Sequence, residues 1–153
     1  MTEWVDVVNK RDRRTGKLSR TECHEQGLLH RQVHVVVVKN SCFLVVKRSK
    51  SKDVYPGFFE IGISGHVQTG ESYSEAARRE LREELGIRSG KLRRLGKCLI
   101  KTGDISFFAF YVLEYAGRIF LDKKEASTAI WAKKLPKRVT SATKAAMRLF
   151  KLR

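Results

Sequence analysis

Acidic residues are scarce in this sequence. Its 153 residues contain 16 aspartates and glutamates against 32 lysines and arginines, which gives a formal net charge of +16 at pH 7. A basic excess of this size is typical of proteins whose partners are acidic. Composition therefore favours phosphorylated small molecules or nucleic acid as the molecules that this protein binds.

Paired cysteines and long apolar segments are also missing. The three cysteines, Cys23, Cys42 and Cys98, are odd in number and have no C-x-x-C spacing, so we interpret them as reduced structural thiols. No apolar run approaches the roughly 20 residues that a membrane span needs, and residues 1–10 lack the apolar core of a signal peptide. We therefore expect a cytoplasmic protein without a membrane segment.

What is present is an ordinary globular composition. Hydrophobic residues make up 42% of the chain and aromatic residues 9%, which argues against disorder. The length suits one domain over residues 1–153. Strand-like runs at 33–38, 43–47 and 105–115 surround at least two helical segments, and no sequence repeat is present. The predicted fold class is therefore α/β with a mixed sheet.

The clearest local signals lie between Gly65 and Ile87. Ser72, with Glu75 three residues later, forms a capping box, and Gly86 is a helix stop. The stretch therefore predicts a loop followed by one helix of about four turns.

Three carboxylates share one face of that helix. Glu80, Glu83 and Glu84 fall within an arc of roughly 100°. Charges this close repel unless a cation neutralises them, and hard oxygen ligands suit Mg²⁺ or Mn²⁺ better than zinc. A plainer interpretation stays open on composition alone, in which this is a solvated charged face with Arg79 and Glu83 as an i,i+4 pair.

The spacing of the whole stretch favours the metal site. It reads Gly65, five residues, Glu71, seven residues, Arg79-Glu80, an aliphatic residue, any residue, Glu83-Glu84, any residue and Gly86-Ile87. This resembles the signature box of the Nudix hydrolases at every defined position. The resemblance implies the Nudix fold, an α/β/α sandwich, and Mg²⁺-dependent or Mn²⁺-dependent cleavage of a diphosphate linkage in a nucleoside-diphosphate-type or related substrate.

The resemblance also implies roles for the box residues. Arg79 would fix the carboxylates by ion pairing and so belong to the catalytic group with Glu80 and Glu84. Family members differ in which glutamate acts as the base, and Glu125, outside the box, is a candidate that an ordinary surface position explains equally well. The implied metal ligands are the Gly65 carbonyl and the carboxylates of Glu80, Glu83 and Glu84.

A narrower resemblance covers the loops before the box. Residues 27–31 and 48–57 are similar to the Nudix branch that includes isopentenyl-diphosphate isomerase and its hydrolase-like relatives. Arg48 and Lys52 stand at the spacing with which the isomerase binds its diphosphate, so the resemblance implies a substrate-binding role for both. A solvated basic loop is the alternative.

The same resemblance argues against isomerase activity. The isomerase has its catalytic cysteine immediately before the Gly-His of the box, where this chain has Ser64. The isomerase also binds a metal through histidines and carboxylates, and this chain matches that set only in part. His66 and either His30 or His24 match the histidines, and at best Asp104 matches one of the two acidic residues. His66 would touch the substrate or the metal, or be an ordinary loop histidine.

Basic residues are concentrated near the two ends of the chain. Residues 126–153 contain no acidic residue, and residues 10–17 are also basic. Together they make RNA a possible partner, although a solvated face over the last helix explains the same pattern. The alternative to a hydrolase is therefore a catalytically silent nucleotide- or RNA-binding Nudix module, and an isomerase is less favoured. Nothing in the sequence indicates an oligomeric state.

Overall fold

The computed structural model describes residues 1–151. This part of the chain contains nine strands and three helices. In order they are β1 (Trp4–Val8), β2 (Arg14–Ser19), α1 (Arg20–Glu25), β3 (His30–Lys39), β4 (Cys42–Arg48), β5 (Phe59–Ile61), β6 (Ile63–His66), α2 (Tyr73–Leu85), β7 (Leu92–Ile100), β8 (Ser106–Glu114), β9 (Ala126–Ala132) and α3 (Ser141–Lys151).

A seven-stranded mixed sheet forms the centre of the fold. Strands β3 and β8 run parallel, with His30 opposite Ser106 and Val38 opposite Glu114, and the other pairs are antiparallel. The strand order is β5-β4-β3-β8-β7, with β6 paired to β3 and β9 paired to β4. The predicted α/β class with a mixed sheet is confirmed.

Alternate residues of β3 face opposite layers of the molecule, because successive side chains of a strand point to opposite faces. Val35 and Val37 belong to the apolar core under α2. Val36 belongs to the core on the other face, with Ala142 and Ala146 of α3. One helix therefore covers each face of the sheet, which is the predicted α/β/α sandwich.

The segment after β4 forms two short strands, β5 and β6, which are divided at Gly62. Strand β5 pairs with β4 and β6 pairs with β3, so the segment fills the space where β3 and β4 separate. Gly62 has a φ of +85°, and a Cβ atom there would lie 1.8 Å from the Val35 carbonyl oxygen. Only glycine fits this position. The division directs β6 toward the loop that precedes α2.

Strands β1 and β2 form a separate two-stranded sheet, here called the N-terminal ribbon. Val5 forms an isolated bridge with Gln68, and the Trp4 carbonyl accepts a 2.9 Å hydrogen bond from the Thr69 N–H. The ribbon is therefore attached to the loop between β6 and α2. No helix among residues 1–151 is both long and apolar enough to span a membrane.

Candidate functional site

Helix α2 begins and ends where its sequence predicts. The Ser72 hydroxyl accepts a hydrogen bond from the Glu75 N–H, and the Glu75 carboxylate accepts one from the Ser72 N–H at 2.7 Å. Gly86 caps the other end in the left-handed conformation. Both boundaries are fixed locally, so the face that carries the carboxylates is fixed as well.

Gly65 and Glu80 are in direct contact. A Cβ atom at position 65 would lie 2.2 Å from the Glu80 Cδ and 2.3 Å from its Oε1. Any side chain at position 65 would therefore displace the carboxylate of Glu80. The glycine lets the end of β6 approach α2, which places the Gly65 backbone beside a predicted metal ligand.

Arg79 connects the parts of the box. Its guanidinium donates to both oxygens of Glu71 at 2.7 and 3.1 Å, to Glu80 at 2.7 Å and to Glu83 at 3.1 Å. It also donates to the His66 carbonyl at 2.8 Å. These five hydrogen bonds leave no guanidinium donor free for a substrate. The geometry of Arg79 is therefore that of a residue that positions the carboxylates.

Glu80 and Glu84 resist ionisation in the metal-free protein. Burial raises the pKa of Glu80 to about 7, against the opposing effect of the Arg79 charge. Burial, followed by the charges of Glu80 and Glu60, raises the pKa of Glu84 well above its ordinary value. Two such carboxylates are both ionised near neutral pH only if a cation compensates them, which is the behaviour expected of a divalent-metal site.

Glu60 of β5 adds a carboxylate from outside the box. It is buried and accepts hydrogen bonds from the Arg48 guanidinium at 2.6 Å and from the Ser64 hydroxyl at 3.0 and 3.1 Å. Its charge is one cause of the raised pKa of Glu84. The acidic cluster is therefore larger than the box alone predicts.

Arg48 and Lys52 lie in ion pairs. Arg48 donates to Glu60 and also to the Val54 carbonyl, at 2.8 and 3.2 Å. The Lys52 ammonium donates to the Glu125 carboxylate. Both cations line the same cleft as the box. The Arg48 guanidinium is held by two different acceptors, whereas the Lys52 ammonium has three donors and can contact a further acceptor while it is paired with Glu125.

Arg20 is a third cation in this cleft, and its contacts are different. Its Nε atom is buried without a hydrogen-bond partner, and its ion pair with Glu3 is long, at 3.9 Å. A buried donor without an acceptor is costly, so such a group is commonly explained by a missing ligand or water. The Nε atom itself is not accessible, but the Arg20 side chain is 32% exposed and lines the cleft, so its terminal nitrogens are the donors that a ligand there could reach.

The cleft has a volume of about 790 Å³, which lies within the usual range for small-molecule sites. Its wall combines the N-terminal ribbon, the box and the beginning of α3. The site is thus assembled from both ends of the chain around the central box.

Three of the four histidines meet Asp104 beside the box. The Nε2 atoms of His24, His30 and His66 lie 3.1, 3.2 and 3.5 Å from one carboxylate oxygen of Asp104. All four potential ligand atoms lie within 4.8 Å of one another. Three imidazoles and one carboxylate are a donor set that suits zinc and other first-row transition metals. We call these four residues the histidine cluster.

The electrostatics of the histidine cluster also suit a cation. Burial lowers the pKa of His66 to about 3, so the imidazole is neutral. Burial opposes ionisation of Asp104, but its contacts with the three histidines hold its pKa below the ordinary value. His30 Nδ1 lies 2.9 Å from the Leu28 carbonyl, and donation there leaves the lone pair of a neutral imidazole on Nε2, the atom beside Asp104, where a cation could accept it.

Known proteins match this chain in sequence and in structure. Residues 28–135 match the sequence model of the NUDIX domain. The chain belongs to the Nudix family. An uncharacterized Nudix hydrolase from Pseudomonas aeruginosa is 43% identical over 96 residues, which cover 62% of this chain and 57% of that protein. The uncharacterized Nudix hydrolase YfcD of Escherichia coli is 33% identical over 132 residues, which cover 85% of this chain and 73% of YfcD.

The crystal structure of DR0079 from Deinococcus radiodurans shares this Nudix fold. It superposes with a TM-score of 0.80 at 25% sequence identity, over 97% of this chain and 99% of that chain. The predicted Nudix fold is confirmed, while the isomerase-like branch stays a prediction. The chain spans only about half the length of the Pseudomonas relative.

The structure brings the predicted site residues of this Nudix protein into one cleft. They are Gly65, Glu80, Glu83 and Glu84 as metal ligands, Arg79 as their partner, and Arg48, Lys52 and His66 as substrate-binding residues. Their roles stay predictions. The expected alternative of an ordinary loop histidine does not describe His66, because its ring is part of the histidine cluster.

Sequence reasoning missed Glu60 and Arg20 and underestimated Asp104. Glu60 is a single acidic residue in an apolar run, and Arg20 is the first residue of the short helix α1, where no motif marks it as a site residue. Asp104 was expected to leave the isomerase-type metal set incomplete, but it contacts all three histidines. The parallel pairing of β3 with β8 places His30 opposite Ser106, and sequence spacing does not reveal that register.

Proposed function

We propose that this Nudix domain hydrolyses a diphosphate linkage in a nucleoside-diphosphate-type or related substrate, with Mg²⁺ or Mn²⁺. The observation that carries the proposal is the pair Glu80 and Glu84, which line an open cleft and whose pKa values are raised by burial and by neighbouring carboxylates. A structural ion-pair network does not need such a pair, whereas a metal site does.

A divalent ion bound here would neutralise the charge that develops on the diphosphate and lower the pKa of a coordinated water. The residues that would hold it are the Gly65 carbonyl and the carboxylates of Glu80, Glu83 and Glu84. The contribution of Arg79 is to orient these groups, because its five hydrogen bonds fix Glu80 and Glu83 relative to the loop.

Glu125 is the better of two candidates for the general base. The carboxylate of Glu60 accepts from Arg48 and Ser64 on a buried strand, so its oxygens are occupied. Glu125 accepts only from Lys52 within the described part of the chain, and its side chain is 36% exposed. It therefore keeps an oxygen available to accept a proton from water.

Arg20 and Lys52 are the cations that we assign to the substrate's phosphates. Arg20 lines the cleft, and its ion pair with Glu3 is long, at 3.9 Å. Lys52 can contact phosphate only by sharing its ammonium with Glu125. Arg48 is better described as a structural anchor, since it binds Glu60 and the Val54 carbonyl. This reverses the emphasis of the sequence-based prediction, in which Arg48 and Lys52 were equivalent.

We further propose that the histidine cluster holds a second divalent ion of the transition-metal type. The ligands would come from α1, β3, β6 and the turn before β8. An ion there would tie these four segments together beside the cleft. This role follows from the donor set and needs no step of the hydrolysis.

The net charge of +16 favours one alternative, a silent module that binds RNA. The basic residues of α3 are Lys144, Arg148 and Lys151, and Arg153 lies outside the described residues. Isomerase activity has less support, because Ser64 occupies the cysteine position and its hydroxyl is bonded to Glu60.

The deciding experiment is a substrate panel with Mg²⁺ or Mn²⁺. It includes nucleoside triphosphates, dinucleoside polyphosphates, nucleotide sugars, capped RNA and prenyl diphosphates, with release of phosphate or pyrophosphate as the readout. Glu84→Gln should abolish turnover and Glu125→Gln should reduce it. Glu114→Gln is the matched control, because Glu114 is an exposed glutamate at the end of β8. Salt-sensitive RNA binding without turnover would instead support the silent module, and isomerisation of isopentenyl diphosphate would contradict the Ser64 argument.

A further inference from the structure

Trp4 is an exposed aromatic residue in the wall of the cleft. It keeps 45% of its surface accessible, although an indole of this size is normally buried. Its backbone is held by the Thr69 N–H of the box loop. The indole is therefore attached to the catalytic loop but is not used by the apolar core.

Lys17 lies against the same indole. It stands two residues before Ser19, which is the cross-strand partner of Trp4, so both side chains are on one face of the N-terminal ribbon. The Lys17 ammonium is 5.0 Å from the ring centroid, within the range of a cation–π contact. Trp4, Lys17 and Arg20 thus form one wall of the cleft, here called the tryptophan wall.

The tryptophan wall begins beside the carboxylates. Glu3 precedes Trp4, forms the long ion pair with Arg20 and lines the same cleft as Glu80. The cleft therefore contains a carboxylate cluster, a guanidinium and an aromatic ring with an ammonium. A diphosphate bound at the box would have the tryptophan wall within the same cleft for its attached group.

We propose that the tryptophan wall is a stacking site for a nucleobase, so that the group attached to the diphosphate is a nucleoside. The proposal rests on the proposed hydrolase function and deepens it. A nucleobase offers a π face for the indole and acceptor atoms for Lys17. A prenyl chain would have to lie against Lys17, Arg20 and Glu3, whose charges it cannot solvate.

Stacking of one base on an aromatic side chain changes affinity on the order of 10-fold. We therefore expect Trp4→Ala to raise KM for the nucleotide substrate about 10-fold with kcat nearly unchanged, since the proposal assigns the indole to the base and not to the reacting phosphorus. Trp4→Phe should keep part of the affinity, because phenylalanine retains a smaller aromatic face.

The chain contains two tryptophans, which makes direct observation possible. Trp131 of β9 also lies under a lysine, Lys39, but it is outside the residues that line the cleft. Trp131→Phe therefore leaves Trp4 as the single indole and is also the matched control for loss of a tryptophan. ADP and inorganic pyrophosphate are titrated into this variant with EDTA, which prevents turnover, and indole fluorescence is recorded.

The proposal expects ADP to quench Trp4 while pyrophosphate does not, and expects ADP to bind about 10-fold more weakly to Trp4→Ala than to Trp131→Phe. Equal binding of ADP by these two variants would overturn the stacking site. If Glu84→Gln abolishes nucleotide turnover but Trp4→Ala leaves KM unchanged, the hydrolase stands and the stacking site falls. If ADP quenches Trp4 but no diphosphate is hydrolysed, the stacking site stands and the hydrolase falls.

Discussion

The carboxylate cluster of the box and the histidine cluster lie side by side but are built in opposite ways. Glu80 and Glu84 come from successive turns of one helix. His24, His66 and Asp104 come from three separate segments. A short sequence pattern is sufficient for the first cluster, whereas the second exists only because distant strands pair in a particular register. Local spacing reveals a site only when one element supplies most of its ligands.

The two clusters also differ in the protonation of their ligands. In the box, burial raises the pKa of Glu80 to about 7, so a metal must compete with protons for the carboxylate. In the histidine cluster, burial lowers the pKa of His66 to about 3 and Asp104 stays ionised. His66 and Asp104 are therefore in the metal-binding form over a wider pH range than Glu80. Hard oxygen atoms in one cluster and imidazole nitrogens in the other predict different ions.

The largest expected effect distinguishes the two clusters by how much activity is lost when each is disrupted. Glu84→Gln should reduce turnover on the order of 10³-fold, because a bound metal supplies several kcal/mol of charge stabilisation in the transition state. Asp104→Asn should reduce it far less if the histidine cluster is structural. Steady-state rates of both variants are compared with those of Glu114→Gln. Equal losses in the two variants would mean that the clusters act as one catalytic unit.

The next effect separates them by metal. After purification and dialysis against Mg²⁺ buffer, we expect wild-type protein to retain zinc or a related transition metal near one equivalent. His66→Ala should lower zinc affinity by more than about 100-fold, since changes to outer partners alone cost 10- to 100-fold. Elemental analysis and competition with a chelator measure this. Glu83→Gln is the control, and it should weaken Mg²⁺ binding only. Zinc retention by His66→Ala would contradict the assignment.

The pH dependence separates the clusters by protonation. Because the folded pKa of Glu80 lies above its ordinary value of 4.5, its ionisation lowers the free energy of unfolding as pH rises from about 4.5 through about 7. In EDTA, Glu80→Gln should therefore gain stability relative to wild type over this window, by about 1.4 kcal/mol for each pH unit. Urea unfolding at pH 5 and pH 8 measures the difference.

Metal binding by the box should follow the same titration with the opposite sign. Mg²⁺ affinity should rise with pH up to about 7, because binding displaces a proton from Glu80. Calorimetry at pH 6, 7 and 8 provides the test, and a flat profile would mean that Glu80 is not a ligand.

The smallest expected effect concerns the contact that joins β6 to α2. Gly65→Ala would place a Cβ atom against Glu80, and such overpacking costs typically about 1–3 kcal/mol. Thermal unfolding should show a lower Tm, accompanied by weaker Mg²⁺ binding. Gly16→Ala is the matched control, because a Cβ atom at Gly16 meets nothing within 4 Å. Equal stability of the two variants would show that the Glu80 side chain moves aside freely.

Much of the fold follows from the sequence because its elements carry local signals. The β-branched run 33–38 lies within β3, and the caps at Ser72 and Gly86 bound α2 as predicted. The segment 118–121, between β8 and β9, has no regular secondary structure. Its backbone is used at the end of α2 instead, where the Phe120 N–H donates to the Leu85 carbonyl at 2.9 Å. The carbonyls at the end of a helix need such donors. The sequence does not show which loop supplies these donors.

The candidate site likewise contains residues that the sequence predicts and residues that it does not. The box residues were predictable because one helix and its loop position all of them. The place of Glu60 depends on the break at Gly62, which lets β5 and β6 pair with different strands. Asp104 depends on the register of β3 against β8. Both are properties of strand pairing over long sequence separations, which residue spacing does not encode.

Arg79 contacts a residue of each cluster. One guanidinium binds the side chain of Glu80 and, 2.8 Å away, the backbone carbonyl of His66. A ligand of each cluster is therefore held by the same group. In evolutionary terms, the two sites are not independent. Replacement of Arg79 would disturb both sites, whereas replacement of a histidine would leave the box intact.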